Sequence, residues 1–124
     1  MLRGVYDDWA RGEFWNADVY DPEIVFVLGE SLPDPGVYKG IEGVDRGFRG
    51  WLESWRELRL ELEELIPVGE RIVAVFHQTG IGRTSGIRAE LEAGHVWTMR
   101  NGKAVRLEVH MSSAEALQAA GHSE

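Results

Sequence analysis

Residues 87–110 read IRAELEAGHVWTMRNGKAVRLEVH, and this stretch decides the fold. From Ile87 to Met99 the odd positions hold Ile87, Ala89, Leu91, Ala93, His95, Trp97 and Met99. The even positions hold Arg88, Glu90, Glu92, Gly94, Val96 and Thr98. Successive side chains of a strand point to opposite faces, so this is a strand with one apolar face and one polar face. Asn101-Gly102 then marks a type I′ hairpin, because both central residues of that turn need positive φ, which Asn and Gly tolerate. After the turn, Val105, Leu107, Val109 and Met111 alternate with Ala104, Arg106, Glu108 and His110, which completes a hairpin. His95 is in phase with the apolar face, so its imidazole is expected to point inward.

Upstream the strands continue. Leu58, Leu60 and Leu62 alternate with Arg59, Glu61 and Glu63, giving one wet face. Residues 67–70 make a turn. Ile72 to Phe76 is apolar at every position, so both faces are expected to be covered, and alternation does not choose the inner one. Residues 83–86 make the next turn. Before this four-stranded meander, Ile41, Val44, Phe48, Trp51, Leu52 and Trp55 form one stripe of an amphipathic helix, opposite Glu42, Asp45, Arg46, Arg49, Glu53 and Arg56. Gly43, Gly47 and Gly50 weaken that helix by ~1 kcal/mol each against alanine, a cost consistent with close packing on a sheet. Ile24 to Leu28 reads as a strand. Residues 13–20 read as a short helix stopped by Asp21-Pro22, and Leu2, Val5, Tyr6 and Trp9 as a first helix ended by Gly12. At the other end, Ser112 with Glu115 has capping-box spacing, and Gly121 suits a helix C-cap.

The predicted order is helix, helix, strand, helix, four-stranded meander, terminal helix. That is an α+β fold, expected as one domain over residues 1–124, with helices packed on a curved antiparallel sheet and enclosing an apolar pocket. A domain of this size buries roughly two thirds of its unfolded surface. An internal cavity weakens such a core, which makes dimerisation a natural supplement.

Composition removes several functions. The formal net charge is −8, which repels phosphates, so neither nucleic acid nor an anionic membrane is an expected partner. Cysteine is absent, and with it disulfides, thiolate nucleophiles and cysteine zinc sites. No apolar run approaches the ~20 residues of a membrane span. Arg3, Asp7, Asp8 and Arg11 do not read as a signal peptide, so the cytoplasm is the expected compartment. Serine nucleophile motifs and phosphate-binding glycine loops are missing.

Five stretches, taken together, resemble the SnoaL-like domains of the nuclear transport factor 2-like superfamily. They are DDWARGEF at 7–14, VYDPEIVF at 19–26, PDPGVYKGIEGV at 33–44, AGHVWTMRNGKAVRLEVH at 93–110 and AEALQAAG at 114–121. The resemblance implies a cone-shaped α+β barrel with an internal pocket, commonly dimeric through its sheet. It also implies a spread of activities, from polyketide cyclases, ketosteroid isomerases, limonene epoxide hydrolases and scytalone dehydratases to binders without catalysis, so fold alone does not give function. The positions that carry catalytic carboxylates in the epoxide hydrolase pattern look equivalent to Val73 and Val109 here, and the matching arginine position to Arg71. Epoxide hydrolysis is therefore not expected.

His95 is the leading candidate, as an acid–base group inside the pocket or as a hydrogen-bonded core histidine without chemistry. His77 continues the phase of Val73 and Val75 and would share the pocket if that face is the inner one. Tyr20 is the candidate hydrogen-bond donor. Trp9, Phe26, Leu28, Trp51, Trp55, Val75, Leu91, Trp97, Leu107, Val109 and Met111 are the expected lining of a site for a small hydrophobic ligand. Asp7, Asp8 and Asp18 belong to the two N-terminal helices, where a pocket-facing acid would be a plausible catalyst, but Asp7 and Asp8 flank the apolar stripe and read as solvated. Glu90, Glu92 and Glu108 are expected to meet Arg88 and Arg106 across strands or at a dimer interface. His110 and His122 do not complete a metal site. The expectation is a homodimer without cofactor or metal. It binds a small hydrophobic molecule and, if an enzyme, isomerises, cyclises or dehydrates it by acid–base chemistry. The alternative is a non-catalytic ligand-binding or protein-interaction dimer of the same fold.

Overall fold

The computed structural model describes residues 2–10, 19–29, 36–53 and 55–121. Helix α1 spans Leu2–Ala10. Strands β1 (Tyr20–Leu28) and β2 (Gly36–Lys39) follow, then helix α2 (Gly40–Glu53). Strands β3 (Trp55–Val68), β4 (Arg71–Gly82), β5 (Arg88–Arg100) and β6 (Lys103–His110) come next, and helix α3 (Ser113–Ala119) closes the order. The six strands form one sheet in the order β2-β1-β6-β5-β4-β3. Only the β1–β6 pairing is parallel. Register shifts at Trp55/Glu57, Leu62/Glu64 and Thr98/Met99 put bulges into the long strands, and bulges bend and twist a sheet. The result is a curved, mostly antiparallel α+β fold with the expected meander.

Each face of the sheet has its own core. On the inner face α1 supplies Leu2, Val5, Tyr6 and Trp9, and α2 supplies Val44 and Phe48. They pack on Ile24, Phe26, Leu60, Ala74, Phe76, Ala93, Trp97, Ala104 and Leu107. On the outer face α3 places Ala116 and Ala120 over Val73, Val75 and Val96. This second cover is why Ile72 to Phe76 carries no polar position. Two glycines set how closely the helices sit. A Cβ on Gly47 would lie 2.5 Å from the Phe26 ring, and one on Gly94 would lie 2.5 Å from Ala116 Cβ. Gly50, in contrast, faces open space.

The hairpin turn forms as expected, with φ of 53° at Asn101 and 78° at Gly102. Ser112 caps α3 by accepting a 3.1 Å hydrogen bond from the Glu115 N–H. Several elements differ from expectation. Tyr20 begins a strand and does not end a helix, because its backbone pairs with Ala104 of β6. Strand β2 was not expected. It pairs with β1 through Lys39, Tyr38, Val37 and Gly36. Helix α2 stops at Glu53, so Trp55 leaves the helical stripe and starts β3, its ring lying against Gly80. The shift at Thr98/Met99 turns Ala104 to the inner core, opposite to its predicted face. The short helix expected over 13–20, apart from its last two residues, lies outside the described residues, as do Asp18 and His122.

Candidate functional site

His95 stands near the middle of the sheet, on β5, between β4 and β6. It pairs with Ala74 on one side and Val109 on the other. Period-2 alternation sends its side chain inward with Ala93 and Trp97, and only 3% of it is exposed. Helix α1 crosses above it. The ring centroid lies 4.3 Å from Phe76, 5.6 Å from Trp9, 5.8 Å from Tyr6 and 6.4 Å from Trp97. An aromatic cage of this kind removes water from the imidazole on most sides.

The polar atoms inside the cage form a relay. Trp97 Nε1–H donates to Tyr6 Oη at 2.9 Å, and Tyr6 Oη stands 2.6 Å from His95 Nδ1. An indole N–H only donates, so the phenol oxygen accepts from Trp97, and the phenol proton finds its acceptor among the described residues at Nδ1, which assigns the direction of the second bond. Nδ1 is thereby the acceptor, and the proton of the neutral imidazole sits on Nε2. Burial holds His95 far below its ordinary value, at about 3, and the nearby charge of His110 acts in the same direction. Burial also pushes the Tyr6 phenol well above its ordinary range. At neutral pH His95 is thus a neutral hydrogen-bond donor. A base this weak does not abstract protons efficiently, because proton transfer works best with a pKa near the operating pH. Tyr6, which the sequence offered only as part of an apolar stripe, is what sets the tautomer.

A cavity of about 20 Å³ opens beside His95, lined by Phe26, Leu28, Phe48, Leu52, Leu58, Leu60, Gln78, His95 and Val109. That volume holds about one water molecule. Of the expected lining, Phe26, Leu28, Val109 and His95 are present. Phe48, Leu52, Leu58 and Leu60 were legible as apolar stripes but not as cavity walls. Gln78 went unnoticed, although a lone amide at the end of an apolar strand was its signal. No carboxylate lines the cavity among the described residues.

The other expected residues lie elsewhere. Trp9, Trp97 and Leu107 are fully buried in the inner core around the relay. Leu91 is half-buried against the same core. Tyr20 is buried and stacks on Trp97 at 6.5 Å, away from the cavity. Its hydroxyl has no partner among the described residues, and burial raises its pKa. Met111 is half-buried just past β6. The Trp51 side chain lies outside the described residues. Val75 belongs to the outer core with Val73, because β4 turns Ala74, Phe76 and Gln78 inward. The same phase puts His77 outside. Its Nε2 meets Glu90 Oε1 at 3.0 Å on a solvent-exposed surface, so it does not share the cavity with His95. Trp55, now on β3, does not line the cavity either.

The acidic residues pair differently from expectation. Glu90 meets His77, and Ser113 of α3 donates to Glu92 at 3.2 Å. Glu108 meets Arg106 on its own strand at 3.2 Å and has His110 Nε2 at 3.6 Å. His110, then Arg106, hold Glu108 below the usual carboxylate range against the opposing effect of burial. Arg71 donates to the terminal carbonyls of α3, Ala119 and Ala120, at 3.5 and 3.4 Å. It is occupied in capping a helix C-terminus, where a cation is favoured. With Val73 also turned outward, the epoxide hydrolase constellation is absent in placement as well as in residue type. Among the described residues no three His, Asp or Glu side chains gather as metal ligands, and no helix is long and apolar enough to cross a membrane.

Helices α1 and α2 packed over the inner face of a curved six-stranded sheet, with the cavity between helix and sheet, define the nuclear transport factor 2-like class. Residues 2–107 match the SnoaL-like domain family, and the chain belongs to it. Similar solved structures include a nuclear transport factor 2-like protein of unknown function from Burkholderia pseudomallei K96243. It is 26% identical, with 94% of this chain and 92% of that chain covered and a TM-score of 0.78. TerC, co-crystallised with polyporic acid, is 21% identical, with 97% and 95% covered and a TM-score of 0.75. A further nuclear transport factor 2-like protein, from Burkholderia thailandensis E264, is 22% identical, with 94% and 95% covered and a TM-score of 0.75. No curated protein sequence gives a significant match.

Proposed function

We propose that this chain binds a small hydrophobic molecule in the cavity beside His95, and that His95 serves as a hydrogen-bond donor to an oxygen of that molecule. The carrying observation is the 2.6 Å bond from Tyr6 to Nδ1, which leaves the Nε2 proton of a neutral imidazole for a ligand. The walls are apolar apart from His95 and Gln78, which suits a ligand with much hydrocarbon and few polar atoms. A ligand of ordinary size needs several hundred Å³. Binding therefore requires the Phe48 and Leu52 side chains of α2 to move away from Leu58 and Leu60 of β3.

Isomerisation, cyclisation and dehydration each need a group that takes a proton. No such group lines the cavity among the described residues, so the reading is of binding before catalysis. Catalysis is a second reading favoured by one observation: a donor fixed in a dry aromatic cage polarises a carbonyl more strongly than one in water. On either reading the protein is a homodimer in solution, which sedimentation equilibrium tests.

Titration with aromatic and terpenoid ketones, followed by tryptophan fluorescence, tests the site, because Trp9 and Trp97 flank His95. Saturable quenching that weakens in His95→Phe supports it. A panel that leaves the fluorescence unchanged at millimolar concentration, or binds His95→Phe equally well, refutes it.

A further inference from the structure

Gln78 is an anomaly. It sits on the inner face of β4, in phase with Ala74 and Phe76, and is only 3% exposed. Its register partners are Leu60 on one side and Leu91 on the other, both apolar. Its Nε2 has no hydrogen-bond partner among the described residues. A buried amide without a partner destabilises a fold, and a leucine or methionine would fill the same place without that penalty. Yet the side chain lines the same cavity as His95.

The sheet register spaces these two groups. His95 pairs with Ala74 and Gln78 pairs with Leu91, so they stand four residues apart along adjacent strands. At about 3.3 Å per residue this is roughly 13 Å between backbones along the strand direction. Both side chains nonetheless line one cavity, so a ligand that opens it meets them from positions four residues apart along the strands. Between and around them lie Phe26, Phe48, Leu58 and Leu60.

We propose that Gln78 and His95 form the two polar ends of one ligand site, which selects a neutral, elongated, apolar molecule carrying an oxygen acceptor at each end. This deepens the binding function proposed above and rests on it. His95 Nε2–H pairs one oxygen and the Gln78 amide N–H pairs the other. The oxygens are those of carbonyl or ether groups. A carboxylate would enter a cavity that offers no cation, and an ammonium group would face two donors, so charged ligands are disfavoured.

A matched series of probes reads this out: bicyclohexyl, its para-ketone, and the diketone with a second carbonyl at the far end of the other ring. Affinities are measured by calorimetry on the wild type, Gln78→Leu and Gln78→Met, the last preserving side-chain length should the leucine variant fold poorly. The wild type is expected to bind the diketone about tenfold more tightly than the monoketone. Both variants should lose that preference and bind diketone and monoketone alike, while the monoketone still binds more tightly than bicyclohexyl through His95. A diketone preference that survives in the variants overturns the proposal, and so does an equal weakening of all three probes. If no probe binds the wild type, the pocket reading falls and this inference falls with it. If the probes bind without discrimination by Gln78, only this inference falls.

Discussion

The sharpest prediction concerns His95 and pH. In the unfolded chain its imidazole titrates near the ordinary value of 6.5, whereas in the folded protein burial holds it at about 3. Between these values the unfolded state binds the extra proton and the folded state does not. Stability therefore falls as pH falls through 6.5, continues to fall towards pH 3, and is fully present above 6.5. Taking the process from pH 8 to pH 5, the loss from this one residue is about 2 kcal/mol. Glu108, held below the ordinary carboxylate range by His110 and Arg106, loses its stabilising effect only at more acidic pH, so it stays out of this window. Urea unfolding at pH 8 and pH 5, on the wild type and His95→Gln, isolates the effect. Glutamine accepts from Tyr6 without titrating. The wild type is expected to lose about 2 kcal/mol more than the variant over this interval. Equal losses refute the argument. A second readout needs only the wild type: the His95 Cε1 proton resonance should not titrate above pH 5. A midpoint near 6.5 for that resonance would show that the ring is not held neutral in a dry cage.

Tyr6→Phe removes the hydroxyl that donates to His95 Nδ1 and accepts from Trp97 Nε1, leaving two buried polar atoms unpaired. Chemical denaturation should show a loss of about 2–4 kcal/mol. Two glycines of α2 should respond with opposite signs. Gly50→Ala, facing open space, should stabilise by about 0.5–1 kcal/mol. Gly47→Ala places a Cβ against Phe26 and should destabilise by about 1–3 kcal/mol despite its better helix propensity, as thermal unfolding will show. His77→Ala removes an exposed pair with Glu90 and should change stability by less than about 1 kcal/mol. It should also leave ketone binding unaltered. A large effect on either would mean that His77 reaches the cavity.

Much of the fold was legible because hydrophobic period and turn chemistry are local. The alternation from Ile87 to Met99 placed Ala93, His95 and Trp97 on one face, and Asn101-Gly102 located its hairpin. The α1 stripe of Leu2, Val5, Tyr6 and Trp9 was also readable. Strand β2 was not, since four residues with two exposed positions carry too little pattern. Trp55 was misplaced because the apolar spacing of a helix continued by chance into the strand that follows it. Ala104 was misplaced because a bulge shifts phase without leaving a mark in composition.

The candidate site divides along the same line. From the sequence alone, His95 belongs to the apolar face of its strand, because alternation and a polar opposite face leave one choice. On β4 every position from Ile72 to Phe76 is apolar, so nothing local said which way the strand turned. Only the docking of α3 over Val73 and Val75 assigned the outer face, sending His77 to solvent and Gln78 to the cavity. Only the tertiary structure brought Tyr6 to His95 across a separation of 89 residues. That contact and the surrounding burial make His95 a neutral donor, because a pKa depends on the water and charge that the whole fold leaves around a group.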